Sequence, residues 1–267
     1  MSEYVDPDPY AMWQRSLVEA DRVFASSPVL DRPVGGCTYC TPESELRVLG
    51  GPPDAVPDDL LGHFMREVPS HWDADQYPLL WRRLMPRALR YWGPQGRGVD
   101  AAAERGHLGE QGANFVDWPA PERAAVEQAF RALLAIALVD GREPVEMTDL
   151  IEGIAHATGG MEPWLEYLAG LPGPAADAGL VRLVCDWAID LLWEELRFSW
   201  WYDGDPRVIA DWLPTQRARV TAFAARHPHC KTAADALIAL DRLQAGDYSA
   251  WLYPYGIERL LGAGLMN

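Results

Sequence analysis

Lysine is almost absent from this chain: Lys231 stands alone beside many arginines. With 39 Asp and Glu against 23 Lys and Arg, the formal charge is −16. Affinity for nucleic acid comes mainly from clustered basic side chains that neutralise phosphates, so no nucleic-acid partner is expected. Cysteine is scarce too, four in 267 residues, and a chain of this length with 49% apolar residues buries a core without disulfide staples. No segment reaches 18 uninterrupted apolar residues, so no membrane span is expected. The first residues, MSEYVDPDPYAMWQ, lack a basic segment followed by an apolar run, which argues against a signal peptide and for the cytoplasm. In that compartment the cysteines are expected as reduced thiols or metal ligands. The excess of Arg, Ala, Gly and Pro suggests a GC-rich bacterial genome.

Several catalytic signatures are missing as well. There is no P-loop, dinucleotide fingerprint, Gly-x-Ser-x-Gly elbow or His-Glu-x-x-His, and no nucleophilic triad can be assembled. No stretch alternates apolar and polar residues as a half-buried strand would.

What is present is helical periodicity. The stretch Asp177 to Trp201 is the expected centre of the fold, with Leu180, Val184, Trp187, Leu191 and Phe198 on one broad apolar side. Asp177 is expected to cap it, and the Asp203-Gly204-Asp205-Pro206 turn to end it. A first helix is expected from Pro9 to Ala25 with Asp8 as cap. Thr41 is expected to cap a helix opening at Pro42-Glu43, and Thr148 one holding Leu150, Ile151 and Ile154. Pro57 to Val68 and Ala74 to Tyr91 read as an antiparallel pair, with Pro86 bending or breaking the second. Gly93 to Gly112 reads as a long surface connection or a short frayed helix. Further helices follow from Trp118 to Val139, after Pro163, from Pro206 to Trp212, on to Ala225, and from Thr232 to Gln244. The fold class is therefore all-α, about nine to eleven helices in antiparallel pairs forming a bundle or a HEAT-like α-solenoid. Gly170 to Pro174 separates an N-terminal region, 1–170, from a C-terminal region, 171–267, within one continuous domain.

Gly35-Gly36-Cys37-Thr38-Tyr39-Cys40 with Thr41-Pro42-Glu43, the segment from Asp59-Leu60-Leu61 to Tyr91-Trp92, and Asp117-Trp118-Pro119 with its helix carry a resemblance. Together they resemble a family of uncharacterised bacterial helical proteins with a Gly-Gly-Cys-x-x-Cys loop. The resemblance covers the first half of the chain and implies a HEAT-like fold, with no assigned activity. Such proteins have a Phe-Arg-His-Phe-Leu-Pro-like run where this chain has Leu80-Trp81-Arg82-Arg83-Leu84-Met85-Pro86, without the histidine.

Four groups of residues suggest chemistry. Cys37 and Cys40 have the spacing of half a zinc site, which His227, His229 and Cys230 would complete if the chain folds back; the alternative is two reduced cysteines in a packed loop. A redox Cys-x-x-Cys opens a helix beside a βαβ unit, which the pattern lacks. His63 with Glu67, and Glu152 with His156, are spaced four apart and would form a di-iron-like site if they converge. Asp186, Asp190 and Glu194 line one helix side, either as a Mg²⁺ site or as a solvated face. Trp200, Trp201, Tyr202, Trp251, Tyr253 and Tyr255 either roof the core or line a groove. The expected function is a helical-repeat module, an adaptor or immunity-type protein, recognising a protein or peptide through an acidic, aromatic-lined surface that a basic partner would suit, without a cofactor. The alternative is a helical metalloenzyme holding zinc, iron or magnesium and acting on a small apolar substrate.

Overall fold

Proline opens several of the helices, Asp8 caps the first, and an aromatic network holds the N-terminal ones together. The computed structural model describes residues 8–26, 30–94, 101–109, 112–142, 144–193 and 207–246. The fold is all-α. Among the described residues there are twelve α-helices: α1 Pro9–Phe24, α2 Glu43–Leu49, α3 Asp58–Arg66, α4 Tyr77–Tyr91, α5 Ala101–Gly106, α6 Ala120–Val139, α7 Pro144–Thr158, α8 Glu162–Gly170, α9 Pro174–Trp193, α10 Arg207–Thr215, α11 Arg217–Arg226 and α12 Lys231–Ala245. No strand occurs among them; the sole ladder contact is an isolated antiparallel bridge between Gly36 and Trp72. No described helix is long and apolar enough to cross a membrane.

Two compact units are present, and neither boundary lies at Gly170. One comprises Met1–Ile136 with Asp149–Gly160, the other Ala137–Thr148 with Met161–Asn267. These units place α8 with the C-terminal helices.

In the first unit Asp8 accepts the Tyr10 N–H at 3.0 Å and Pro9 opens α1, as the local pattern predicts. α1 buries Trp13, Ala20 and Phe24 and lies against α4. α3 also packs on α4, as expected, through Phe64, whose ring touches Trp72, Tyr77 and Trp81 at centroid distances of 5.1, 5.7 and 5.1 Å. Trp81 continues the network to Trp92 at 6.0 Å, and Trp92 to Phe130 at 6.3 Å. Each such pair adds about 0.5–1.5 kcal/mol beyond area burial. That network explains why α4 runs unbroken through Pro86: Leu80, Trp81, Leu84 and Met85 before it and Ala88 and Leu89 after it are all buried, which outweighs the lost backbone bond. Of the two readings of the Gly-rich stretch, its described part shows the short helix, α5, which buries Glu104 and Arg105.

In the second unit α9 is surrounded by α10, α11 and α12. It starts at Pro174, three residues before the expected cap, because proline suits a first helical turn whose N–H groups have no partner. Asp177 then lies inside the first turn and accepts from Arg219 Nε at 2.7 Å and Arg226 Nη2 at 2.5 Å. Residues 194–206, which hold the end of the expected central helix and its terminating turn, lie outside the described residues. Gly179 permits close packing, since a Cβ there would stand 2.1 Å from the Leu138 carbonyl oxygen. Thr148 is no cap: α7 begins at Pro144, and the Thr148 hydroxyl accepts the buried Trp187 indole N–H at 2.8 Å.

Candidate metal centre

The chain between α1 and α2 is pinned to the chain between α3 and α4. Arg32 reaches Asp73 at 2.6 Å and Asp75 at 2.7 Å. The buried Gln76 accepts the Gly35 N–H at 2.8 Å and donates to the Pro33 carbonyl at 3.1 Å. The Gly35 carbonyl accepts from the Asp73 N–H at 3.2 Å, and the Cys37 N–H donates to the His71 carbonyl at 2.7 Å. Both glycines are required by this approach: a Cβ on Gly35 would stand 2.1 Å from Asp73 Oδ2, and one on Gly36 3.0 Å from the His71 oxygen.

Beyond Gly36 the chain turns, with the Cys40 and Thr41 N–H groups donating to the Cys37 carbonyl at 3.2 and 2.9 Å. The backbone N–H groups of Cys40 and Tyr39, and then the Cys40 thiol, favour the Cys37 thiolate and hold its pKa below the ordinary value against burial and the Glu67 charge. Burial, Cys37 and Glu67 push the Cys40 thiol up. Thr41 does not cap α2, which starts after Pro42 without a side-chain cap; its buried hydroxyl lies 3.1 Å from His63 Nε2.

α3 ends at Arg66 and a 3-10 turn, Pro69–His71, follows, because Pro69 cannot continue the helix. Glu67 thereby sits between two imidazoles, Oε2 3.7 Å from His63 Nε2 and Oε1 2.6 Å from His71 Nδ1. The second contact lacks hydrogen-bond geometry, and the His71 Nδ1 atom is shielded from solvent. Nitrogen and oxygen are close without pointing along a shared hydrogen. Ligand atoms of Cys40, Glu67 and His71 all lie within 4.8 Å of one another. Tetrahedral Zn²⁺ with bonds of about 2.0–2.3 Å separates its ligands by about 3.3–3.8 Å, so a small closure would bring these three to ligand spacing.

One residue of each expected pair, Cys40 and Glu67, thus comes together, with His71 as the third. Among the described residues, Cys40, Glu67 and His71 are the only group of three or more such side chains this close. Glu152 and His156 on α7 belong to no such group; Glu152 is buried, and the His156 carbonyl faces Gly109. His227, His229 and Cys230 are not among the described close group. They belong to the other unit, where His227 stacks on Phe223 at 4.4 Å, His229 is exposed and Cys230 precedes α12. Asp186 and Asp190 form no solvated line, being half-buried on α9. Glu194, Trp200, Trp201, Tyr202, Trp251, Tyr253 and Tyr255 lie outside the described residues.

His71 is the residue the motif search missed. Its signal was available as a run, His63, Glu67 and His71 at successive spacings of four. Helical reasoning alone would put all three on one helix face, whereas the turn at Pro69 makes the last one approach from outside α3.

No protein-family model matches the chain, and neither the curated proteins nor the solved structures contain a match to it.

Proposed function

We propose that the chain binds one Zn²⁺ through Cys37, Cys40, His71 and Glu67, and that this ion stiffens a HEAT-like helical module whose task is to bind a protein or peptide. The observation that carries the metal reading is the convergence of Cys40, Glu67 and His71 within 4.8 Å beside a second cysteine. Two thiolates, an imidazole and a carboxylate suit zinc better than magnesium, which takes oxygen ligands, and zinc needs no redox partner. His63 stands outside the four, 3.7 Å from Glu67, where it orients the carboxylate. Four protein ligands leave no open position for a substrate, which favours a structural ion over the metalloenzyme alternative.

The binding reading is supported at the same place. Tyr39, between the two cysteines, is 95% exposed, a large ring with a polar tip held out on a turn that the ion would lock. With a formal charge of −16, a basic partner is the electrostatic fit. Elemental analysis of protein purified without chelator tests the site: one equivalent of zinc is expected, falling below a tenth in Cys40→Ser and His71→Ala but unchanged in His156→Ala. Zinc absent from the parent protein overturns the site. For the binding half, affinity capture from the native cell is expected to enrich a stoichiometric partner that Tyr39→Ala loses; a partner equally retained by Tyr39→Ala rules that surface out.

A further inference from the structure

The zinc reading above is the footing for a second step. We propose that Cys37 and Cys40 make this a redox-released zinc site, in which oxidation by hydrogen peroxide joins the two sulfurs and expels the ion while the helical frame stays in place.

Three observations carry it. The two thiols share one tight turn, closed by the Cys40 and Thr41 N–H groups on the Cys37 carbonyl at 3.2 and 2.9 Å, so a bond between them needs only local adjustment. Both cysteines are half-exposed and Thr38 and Tyr39 between them are exposed, so a small oxidant reaches the sulfurs from solvent. The third observation concerns what remains without the ion. Arg32 on Asp73, Gln76 on Gly35, the Gly36–Trp72 bridge and the Cys37–His71 backbone bond use no thiol, imidazole or Glu67 atom. The loop is therefore held on its N-terminal side whether or not zinc is bound, and Thr41 with α2 holds the other side. Zinc modules without such an independent tether unfold when the ion leaves.

The chemistry balances. The Cys37 sulfur gives an electron pair to one peroxide oxygen; the O–O bond breaks, leaving a sulfenic acid and hydroxide, which a proton converts to water. The Cys40 thiolate then attacks the sulfenic sulfur, forming S–S and breaking S–O, and the departing hydroxide takes a second proton. Two thiolates, one peroxide and two protons become one disulfide and two waters. His71 and Glu67 alone are too few ligands to retain the ion. This is oxidation of a ligand set and no catalytic dithiol, since α2 begins only at Glu43 and no strand lies beside the motif among the described residues.

The test uses the full-length zinc-loaded protein, hydrogen peroxide and a colorimetric zinc chelator. One equivalent of zinc should appear, with a Cys37–Cys40 disulfide in peptide mass spectra and unchanged far-ultraviolet circular dichroism. Dithiothreitol with added zinc should reverse it. Cys230, half-exposed and outside the site, is the internal control, and Cys230→Ser should release zinc equally. Zinc that stays bound while Cys230 is oxidised overturns the proposal, as does release accompanied by loss of the helical signal. Zinc content before peroxide tests the site on its own: none at the start overturns both, whereas zinc that peroxide does not release overturns only this one.

Discussion

The backbone N–H of Cys37 donates to the carbonyl of His71 at 2.7 Å, tying the thiol turn to the imidazole turn by a bond that needs no metal. Removal of zinc by a chelator should accordingly lower stability without abolishing the fold. An ion present at about 100 times its dissociation constant contributes about 2.7 kcal/mol, and about 2–4 °C per kcal/mol at this chain length gives a fall in Tm of about 5–10 °C. Differential scanning calorimetry with and without chelator measures it. An unchanged Tm would mean that no ion is linked to folding.

Glu104 is fully buried on α5 and accepts from Arg66 Nη1 at 2.8 Å and from the Trp92 indole N–H at 3.0 Å, with the Arg105 guanidinium 5.3 Å from the Trp92 ring centroid. Burial raises its carboxyl pKa against the opposing pull of Trp92, Arg66 and Arg105. Glu104→Ala removes the acceptor of a buried N–H and the counter-charge together, at a cost of about 3 kcal/mol. Glu104→Gln keeps an acceptor for Trp92 and should cost about 1 kcal/mol. Urea unfolding at neutral pH separates the two, and equal losses would show that the carboxylate charge, and not the indole bond, is what matters there.

Asp177 behaves in the opposite sense. Burial pushes its pKa up, but Arg226 and Arg219 outweigh it and hold the carboxyl below the ordinary value. A folded pKa below the unfolded one contributes stability that is present above about pH 4 and is lost as pH falls through the folded value. Asp177→Asn should lose about 1–2 kcal/mol at pH 7, discounted because Arg226 is half in water. Its stability should also fall less than that of the parent protein on going from pH 5 to pH 3. An unaltered acid limb in urea titrations would remove Asp177 from the account.

Local chemistry was readable where a residue acts on its sequence neighbours. Asp8 and Pro9 open α1 as expected, and the expected end of that helix differs from Phe24 by one residue, because a cap and an N-terminal proline involve only the next turn. The same logic misassigned Thr41 and Thr148. Both stand before helical patterns, but Thr41 meets His63 and Thr148 meets Trp187, partners 22 and 39 residues away that no local rule reveals.

The metal centre divides in the same way. Sequence alone determined an all-helical chain, strongly acidic, with a thiol pair in a Gly-Gly loop and a His/Glu pair one helical turn apart, since composition and periodicity are properties of the chain itself. Only the tertiary structure brings one cysteine of the pair, Cys40, within 4.8 Å of Glu67 and adds His71 to them. The physical reason is the approach of Gly35 and Gly36 to His71 and Asp73, closed by Gln76 and Arg32. Burial and long-range pairing set that approach, and residue spacing carries no record of it.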